Sequence, residues 1–270
     1  MSTLREFLRE GRLPMLEARM LWQHVLQVPR TWLITHDDEP IATERVQAYR
    51  QAEARRLAGE PMAYILGSRE FMGHDFTVSP AVLIPRPETE LLVETAVKWL
   101  SEHENAQVLD LGTGSGAIAV SIALACPAAQ VVATDLSTEA LDMARRNAHE
   151  LGAAVEFHQG SWYQALPPGK VFDLIVSNPP YIPMDDPHLT QGDLRFEPAM
   201  ALSDDHDGLD AYRAIISGAS AHLRPGAGLY VEHGYDQSGP VCGLLRQAGF
   251  HQVHSLPDLA GILRVSGGHF

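Results

Sequence analysis

The chain has 270 residues, room for one large domain or a medium domain joined to a small one. Its hydrophobic fraction of 45% supports a buried core, and no apolar run reaches the length that spans a bilayer. Lys and Arg number 20 against 34 acids, a formal net charge of −14. That balance argues against a phosphate-neutralising face for duplex nucleic acid, leaving either plain solubility or a basic protein partner as its meaning. Two cysteines, Cys126 and Cys242, make no disulfide framework, and the 13 histidines lack metal-ligand spacing, so no metal is expected. The N-terminal stretch alternates charged and apolar residues rather than resembling a signal peptide, and a cytoplasmic location is the expectation.

Residues 1–60 read as helices. In residues 15–27, Met15, Ala18, Leu21, Trp22, Val25 and Leu26 recur at spacings of three and four. Thr43 looks like the N-cap of a helix through residue 58, closed by Gly59. A small helical domain over residues 1–68 follows. Residues 69–82 change pattern to a hairpin, with Met72-Gly73-His74 as turn and Phe71, Phe76 and Val78 as strand residues, bridging to a domain over 83–270. There a helix is expected at 88–101, then alternating strands (108–111, 130–134, 154–158, 172–177, 228–232) and helices (116–125, 137–151, 208–222, 238–248). Ser137 is a plausible cap of the second of these helices. Such alternation predicts an α/β fold with a doubly wound, mostly parallel sheet. The last two strands, 251–256 and 261–265, lie too close in sequence for a helical crossover, so the final strand is expected antiparallel.

Two turns carry the chemistry. Val108-Leu109-Asp110-Leu111 runs into Gly112-Thr113-Gly114-Ser115-Gly116 and then a helix. Glycines there let a ligand approach the backbone, and the helix start offers unpaired N–H groups. The glycine spacing differs from the dinucleotide G-x-G-x-x-G and is similar to the first motif of Rossmann-like methyltransferases, which use S-adenosylmethionine. Asp135 ends the next strand, where a carboxylate can accept from two ribose hydroxyls or simply cap a helix. Trp162 follows the third strand and can either stack on an adenine or serve as a peripheral core aromatic.

The second turn is Asn178-Pro179-Pro180-Tyr181, after the buried strand Phe172-Asp173-Leu174-Ile175-Val176-Ser177. Successive prolines stiffen the turn and remove its N–H donors, leaving a rigid array of acceptors. The Asn178 side-chain oxygen and the Pro179 carbonyl can each take one hydrogen of a planar NH₂ group, with Tyr181 packed against its plane. Orientation of this kind contributes about 7–11 kcal/mol to such reactions, and acceptors favour the positive charge that builds on nitrogen. On the residues alone the nitrogen belongs to an amide or to adenine, the latter implying an adenine-N6 methyltransferase acting on DNA or RNA.

The combination LDLGTGSG, SNPPYIP, LIPRPETE and QGDLRFEP resembles the HemK/PrmC family over essentially the whole chain. The resemblance implies a Rossmann-like class I methyltransferase fold and S-adenosyl-L-methionine as cofactor. It implies N5-methylation of the glutamine in the Gly-Gly-Gln motif of peptide chain release factors, with no direct nucleic acid or membrane partner. Carried over, Gly112, Thr113, Gly114, Ser115 and Gly116 form the cofactor loop, Asp135 holds the ribose and Trp162 lines the adenine. Asn178 touches cofactor and substrate amide, and Pro179, Pro180 and Tyr181 complete the clamp. Ser161 departs from the family, many of whose members place an acid just before the tryptophan. The charges around Arg86 to Glu90 and Arg195 to Glu197 are read as local ion pairs bracing the active-site wall, and Glu232 as structural support.

Overall fold

The structure, a computed structural model, describes residues 3–204 and 206–270. It divides into two compact units, Met1–Gly67 and Ser68–Phe270.

The first unit is helical: α1 (Leu4–Glu10), α2 (Met15–Leu26), α3 (Arg30–Thr35), α4 (Thr43–Leu57) and α5 (Met62–Leu66). Thr3 and Glu6 form a reciprocal capping box that starts α1. Trp22 and Tyr49 stack with ring centroids 4.1 Å apart, joining α2 to α4 in a core with Leu4, Leu21 and Leu33. Thr43 is not the cap of α4. Ala42 holds that position, Thr43 is the first helical residue, and no side chain caps the end.

In the second unit, β1 (Ser68–Phe71) and β2 (His74–Thr77) pair antiparallel around Met72 and Gly73, both at positive φ, while Val78 lies just beyond the strand. Asn147 anchors this hairpin, accepting from the Thr77 N–H at 2.8 Å and donating to the Thr77 carbonyl at 3.0 Å. The remaining elements are α6 (Glu90–Leu100), β3 (Gln107–Leu111), α7 (Ala117–Ala125), β4 (Gln130–Asp135), α8 (Thr138–Leu151), β5 (Val155–Gln159) and β6 (Phe172–Ser177). They continue through α9 (Ala199–Leu202), α10 (Asp210–Ala219), β7 (Leu223–Glu232), α11 (Ser238–Gln247), β8 (His251–Pro257) and β9 (Leu263–His269). The Ser137 hydroxyl caps α8 by accepting from the Ala140 N–H.

The seven main strands run in the order β5-β4-β3-β6-β7-β9-β8, all parallel except β9, which is antiparallel to both neighbours. Leu92 and Val93 of α6 and Ile118 of α7 pack on Val108, Val131 and Leu174 on one face. Tyr212 and Ile215 of α10 and Val241 and Leu245 of α11 pack on Leu109, Ile175 and Leu229 on the other. Alternate residues of each buried strand thus feed opposite layers, as a doubly wound sheet requires.

Three boundaries depart from the expected ones for definable reasons. A 3₁₀ turn, Pro87–Thr89, precedes α6, because Pro87 suits a first turn but the α-helical bonds begin only at Glu90. Strand β7 begins five residues early, with a bulge against β6 that accommodates Pro225 and Gly226. Strand β9 continues through Ser266-Gly267-Gly268, which carry no apolar pattern. Gly267 is required there because a Cβ would lie 2.1 Å from the Tyr230 ring. No helix among the described residues is long and apolar enough to cross a membrane.

Candidate active site

The sheet order reverses between β3 and β6, which pair in parallel with Leu111 opposite Ser177. The glycine loop and Asn178-Pro179-Pro180-Tyr181 therefore leave adjacent strands side by side, at the switch point where doubly wound sheets hold ligands. The Ser177 hydroxyl donates to the Leu111 carbonyl at 2.6 Å and locks the two strand ends together.

Gly112, Gly114 and Gly116 all have positive φ. At Gly116 the need is steric as well, since a Cβ would come within 3.0 Å of the Ala144 Cβ and wedge α7 from α8. The Gly114 N–H donates to Asp135 Oδ2 at 2.8 Å, and the Ser137 N–H donates to Oδ1 at 2.9 Å. Asp135 thus holds the loop in shape as well as ending β4. Burial raises its pKa, while N–H donors from Gly114, Ser137 and Leu136 oppose the rise. The Trp162 ring lies across Gly112, and Trp162 itself takes φ +46 at the start of a 3₁₀ turn. Asn147, the anchor of the hairpin, also donates to the Ser115 carbonyl at 2.8 Å, so the hairpin and the glycine loop share one buried strut.

These groups line a cavity of about 1,070 Å³ including its open mouth. All five residues 112–115 and 135, together with Ser161, Trp162, Asn178 and Pro180, reach it; Gly116 does not, and acts on it through the loop's shape. Its other walls include Val82, Leu83, Arg86 and Thr89 from one stretch and Pro198, Met200 and Ala201 from another. Pro179 is buried and Tyr181 half-buried. Tyr181 lines a second cavity with Glu88, His188, Glu232 and Arg264, and Arg86 borders both cavities. Burial and the neighbouring Glu232 push the Tyr181 hydroxyl well above the ordinary phenol range, so it stays neutral.

The proline turn is held by its surroundings rather than by its own hydrogen bonds. The N–H groups of Tyr181 and Ile182 donate to the Leu202 carbonyl at 3.2 and 2.9 Å, and Gln237 Nε2 donates to the Tyr181 carbonyl at 2.9 Å. Asn178 Nδ2 donates to Thr89 Oγ1 at 3.1 Å, which leaves Oδ1 as the free acceptor of that side chain.

The sequence reading gave no role to Asp110 or Thr89, and gave Glu232 only structural support. Asp110 is fully buried under the glycine loop, accepts from the Thr113 hydroxyl at 2.6 Å, and is pushed up to about 7 by desolvation. Thr89 and Glu232 are also buried; Thr89 bonds Asn178, and Glu232 ends the strand paired with the one that leads into Asn178. The charged motifs brace the wall, but not locally: Arg86 pairs with Glu197, whose other oxygen accepts from the Ile84 N–H at 3.0 Å, so one motif ties to the other.

Residues 2–67 match the PrmC N-terminal domain, and residues 87–191 match the methyltransferase small domain. The release factor glutamine methyltransferase of Bordetella pertussis is 58% identical over 269 residues, 100% of each chain. That of Burkholderia pseudomallei is 53% identical, covering 99% of this chain and 96% of its own. The chain belongs to the release factor glutamine methyltransferase family. Among solved structures, a 16S rRNA N2 G1207 methyltransferase of T. Thermophilus, in complex with AdoMet and guanosine, aligns with a TM-score of 0.56. It is 22% identical over 75% of this chain and 49% of its own, and shows a shared fold.

Membership makes the chain an S-adenosylmethionine-dependent methyltransferase, and the first cavity fits that cofactor. It offers a glycine cradle beneath an indole, a carboxylate at the end of β4, and an open amide acceptor at Asn178. Among the described residues no cluster of His, Cys, Asp or Glu is arranged to hold a metal ion.

Proposed function

We propose that this protein methylates the side-chain amide nitrogen, N5, of the glutamine in the Gly-Gly-Gln motif of peptide chain release factors. The observation that carries the reading is the Asn178 side chain at the junction of two loops, its Nδ2 engaged by Thr89 and its Oδ1 open. Near-full-length relatives named release factor glutamine methyltransferases support it.

In this reading Gly112 to Ser115 cradle the cofactor with Gly116 setting the loop's shape, Asp135 accepts from its ribose, and Trp162 covers its adenine. When bound, S-adenosylmethionine supplies an electrophilic methyl group on a sulfonium. The glutamine enters from the second cavity, along Tyr181 and past Arg86. Asn178 Oδ1 and the Pro179 carbonyl each accept one N–H of the target amide, and Pro180 and Tyr181 flank its plane. An amide nitrogen is a poor nucleophile because its lone pair is delocalised, so aim and desolvation supply most of the acceleration. The two acceptors also oppose no positive charge as it builds on nitrogen, and the proton leaves after methylation without an ionised base. Burial keeps the Tyr181 hydroxyl neutral, so no phenolate competes for the methyl group.

The acceptor is a protein rather than nucleic acid, a reading supported by the −14 charge, and the enzyme works in the cytoplasm beside its substrate. Incubation with labelled cofactor and either a release factor or adenine-containing oligonucleotides tests this. Label is expected in the protein alone; comparable label in the oligonucleotides would move the assignment to adenine N6.

A further inference from the structure

Asn178 can present either end of its amide to the substrate, and only the oxygen is useful, because the target NH₂ is itself a donor. Something must set that choice. Asn178 Nδ2 donates to Thr89 Oγ1 at 3.1 Å. A threonine hydroxyl has a single proton, and a hydroxyl accepting from Asn178 directs that proton elsewhere. The side chain of Thr89 faces the carboxyl of Glu232 and favours its ionised form. Thr89 is 4% exposed and Glu232 1%. Glu232 Oε2 is buried without a hydrogen-bond partner among the described residues, an acceptor in want of a donor.

We propose that Glu232 is a positioning residue: by taking the Thr89 proton, its carboxylate obliges Thr89 to accept from Asn178 Nδ2 and so turns Asn178 Oδ1 toward the target nitrogen. The sequence holds these residues apart on three elements, and the fold brings them together: Ser177 of β6 pairs with Val231 of β7, so Asn178 and Glu232 follow at adjacent strand ends, and Thr89, just before α6, bonds Asn178.

The arrangement is sensitive to protonation. Burial pushes Glu232 up to about 7, with Glu88 adding to the rise and Arg264 and Arg86 opposing it. Tyr181 and Tyr212 also face it, both held neutral by burial, and the Tyr212 hydroxyl donates to the Glu232 carbonyl at 2.9 Å. The adjoining His233 is turned away, its ring bonded to the Gly234 carbonyl and the Ser266 hydroxyl. A protonated Glu232 donates to Thr89 instead, freeing the hydroxyl proton for Asn178 Oδ1. The amide then flips and offers the substrate the wrong end. The rate is therefore lost as pH falls through the pKa of Glu232.

This inference rests on the proposed amide-nitrogen chemistry, and the full chain with a release factor tests both separately. If the native enzyme leaves the glutamine unmethylated while methylating another acceptor, the functional reading fails. If it methylates the glutamine, the variants decide. Thr89→Val keeps the shape and removes the hydroxyl; kcat is expected to fall about 30-fold, and Thr89→Ser to recover most of it. Glu232→Gln accepts from Thr89 without titrating, so the acidic limb of the kcat profile should flatten while part of the rate survives. A Thr89→Val enzyme with native kcat, a Thr89→Ser enzyme as slow as Thr89→Val, or a Glu232→Gln enzyme with the native limb intact would overturn the proposal. Cofactor binding to each variant establishes that it is folded.

Discussion

At the scale of single residues, the site depends on carboxylates that the fold holds out of water. Asp110 is the plainest case: its pKa rises from 3.8 to about 7, chiefly by desolvation, although Thr113 and the Ala119 N–H support its charge. Between about pH 4 and 7 the native state then binds a proton that the unfolded chain releases, so this group's contribution to stability falls as pH rises. Asp110→Asn removes the titration and keeps an acceptor for Thr113. Its melting temperature relative to the native chain should climb from pH 4 to 8, and a pH-independent difference would show that Asp110 is not perturbed. Residues such as this were only partly legible in the sequence. Asn178, Pro179, Pro180 and Tyr181 announce themselves because prolines and an amide in succession have few structural uses. Thr89 and Glu232 do not, because a threonine among glutamates and an acid ending a strand are common, and their meaning appears only when β6, β7 and the start of α6 are placed side by side.

At the scale of elements, the glycine loop works because β3, α7 and α8 approach closely. Gly116→Ala combines a φ of +83° with a Cβ 3.0 Å from that of Ala144. The cost should be about 1–3 kcal/mol, read as a lowered denaturation midpoint with reduced cofactor affinity. An unchanged midpoint would mean that α7 and α8 have slack. The long buried strands and amphipathic helices were readable from periodicity, and β6 fell on the expected residues. The stretch from residue 183 to 203 was not readable, since two short 3₁₀ turns and the four-residue α9 have no period long enough to register. Yet Glu197 from this stretch fastens Arg86 and closes the cavity wall, so function depends on its least patterned segment.

At the scale of the whole molecule, 34 acids against 20 basic side chains give a negative field that would draw in a basic acceptor protein. Raising ionic strength should therefore lower kcat/KM for a release factor by about tenfold through association, leaving kcat unchanged. A fall in kcat instead would place the salt effect in the chemistry. The most direct test of the central claim is to digest a release factor after incubation with the enzyme and S-adenosylmethionine, and to map the methyl group by mass spectrometry. One methyl group is expected on the Gly-Gly-Gln glutamine side chain, with an initial rate reduced about 100-fold or more in Asn178→Ala. An unmodified glutamine, or one methylated equally well by Asn178→Ala, would contradict that claim.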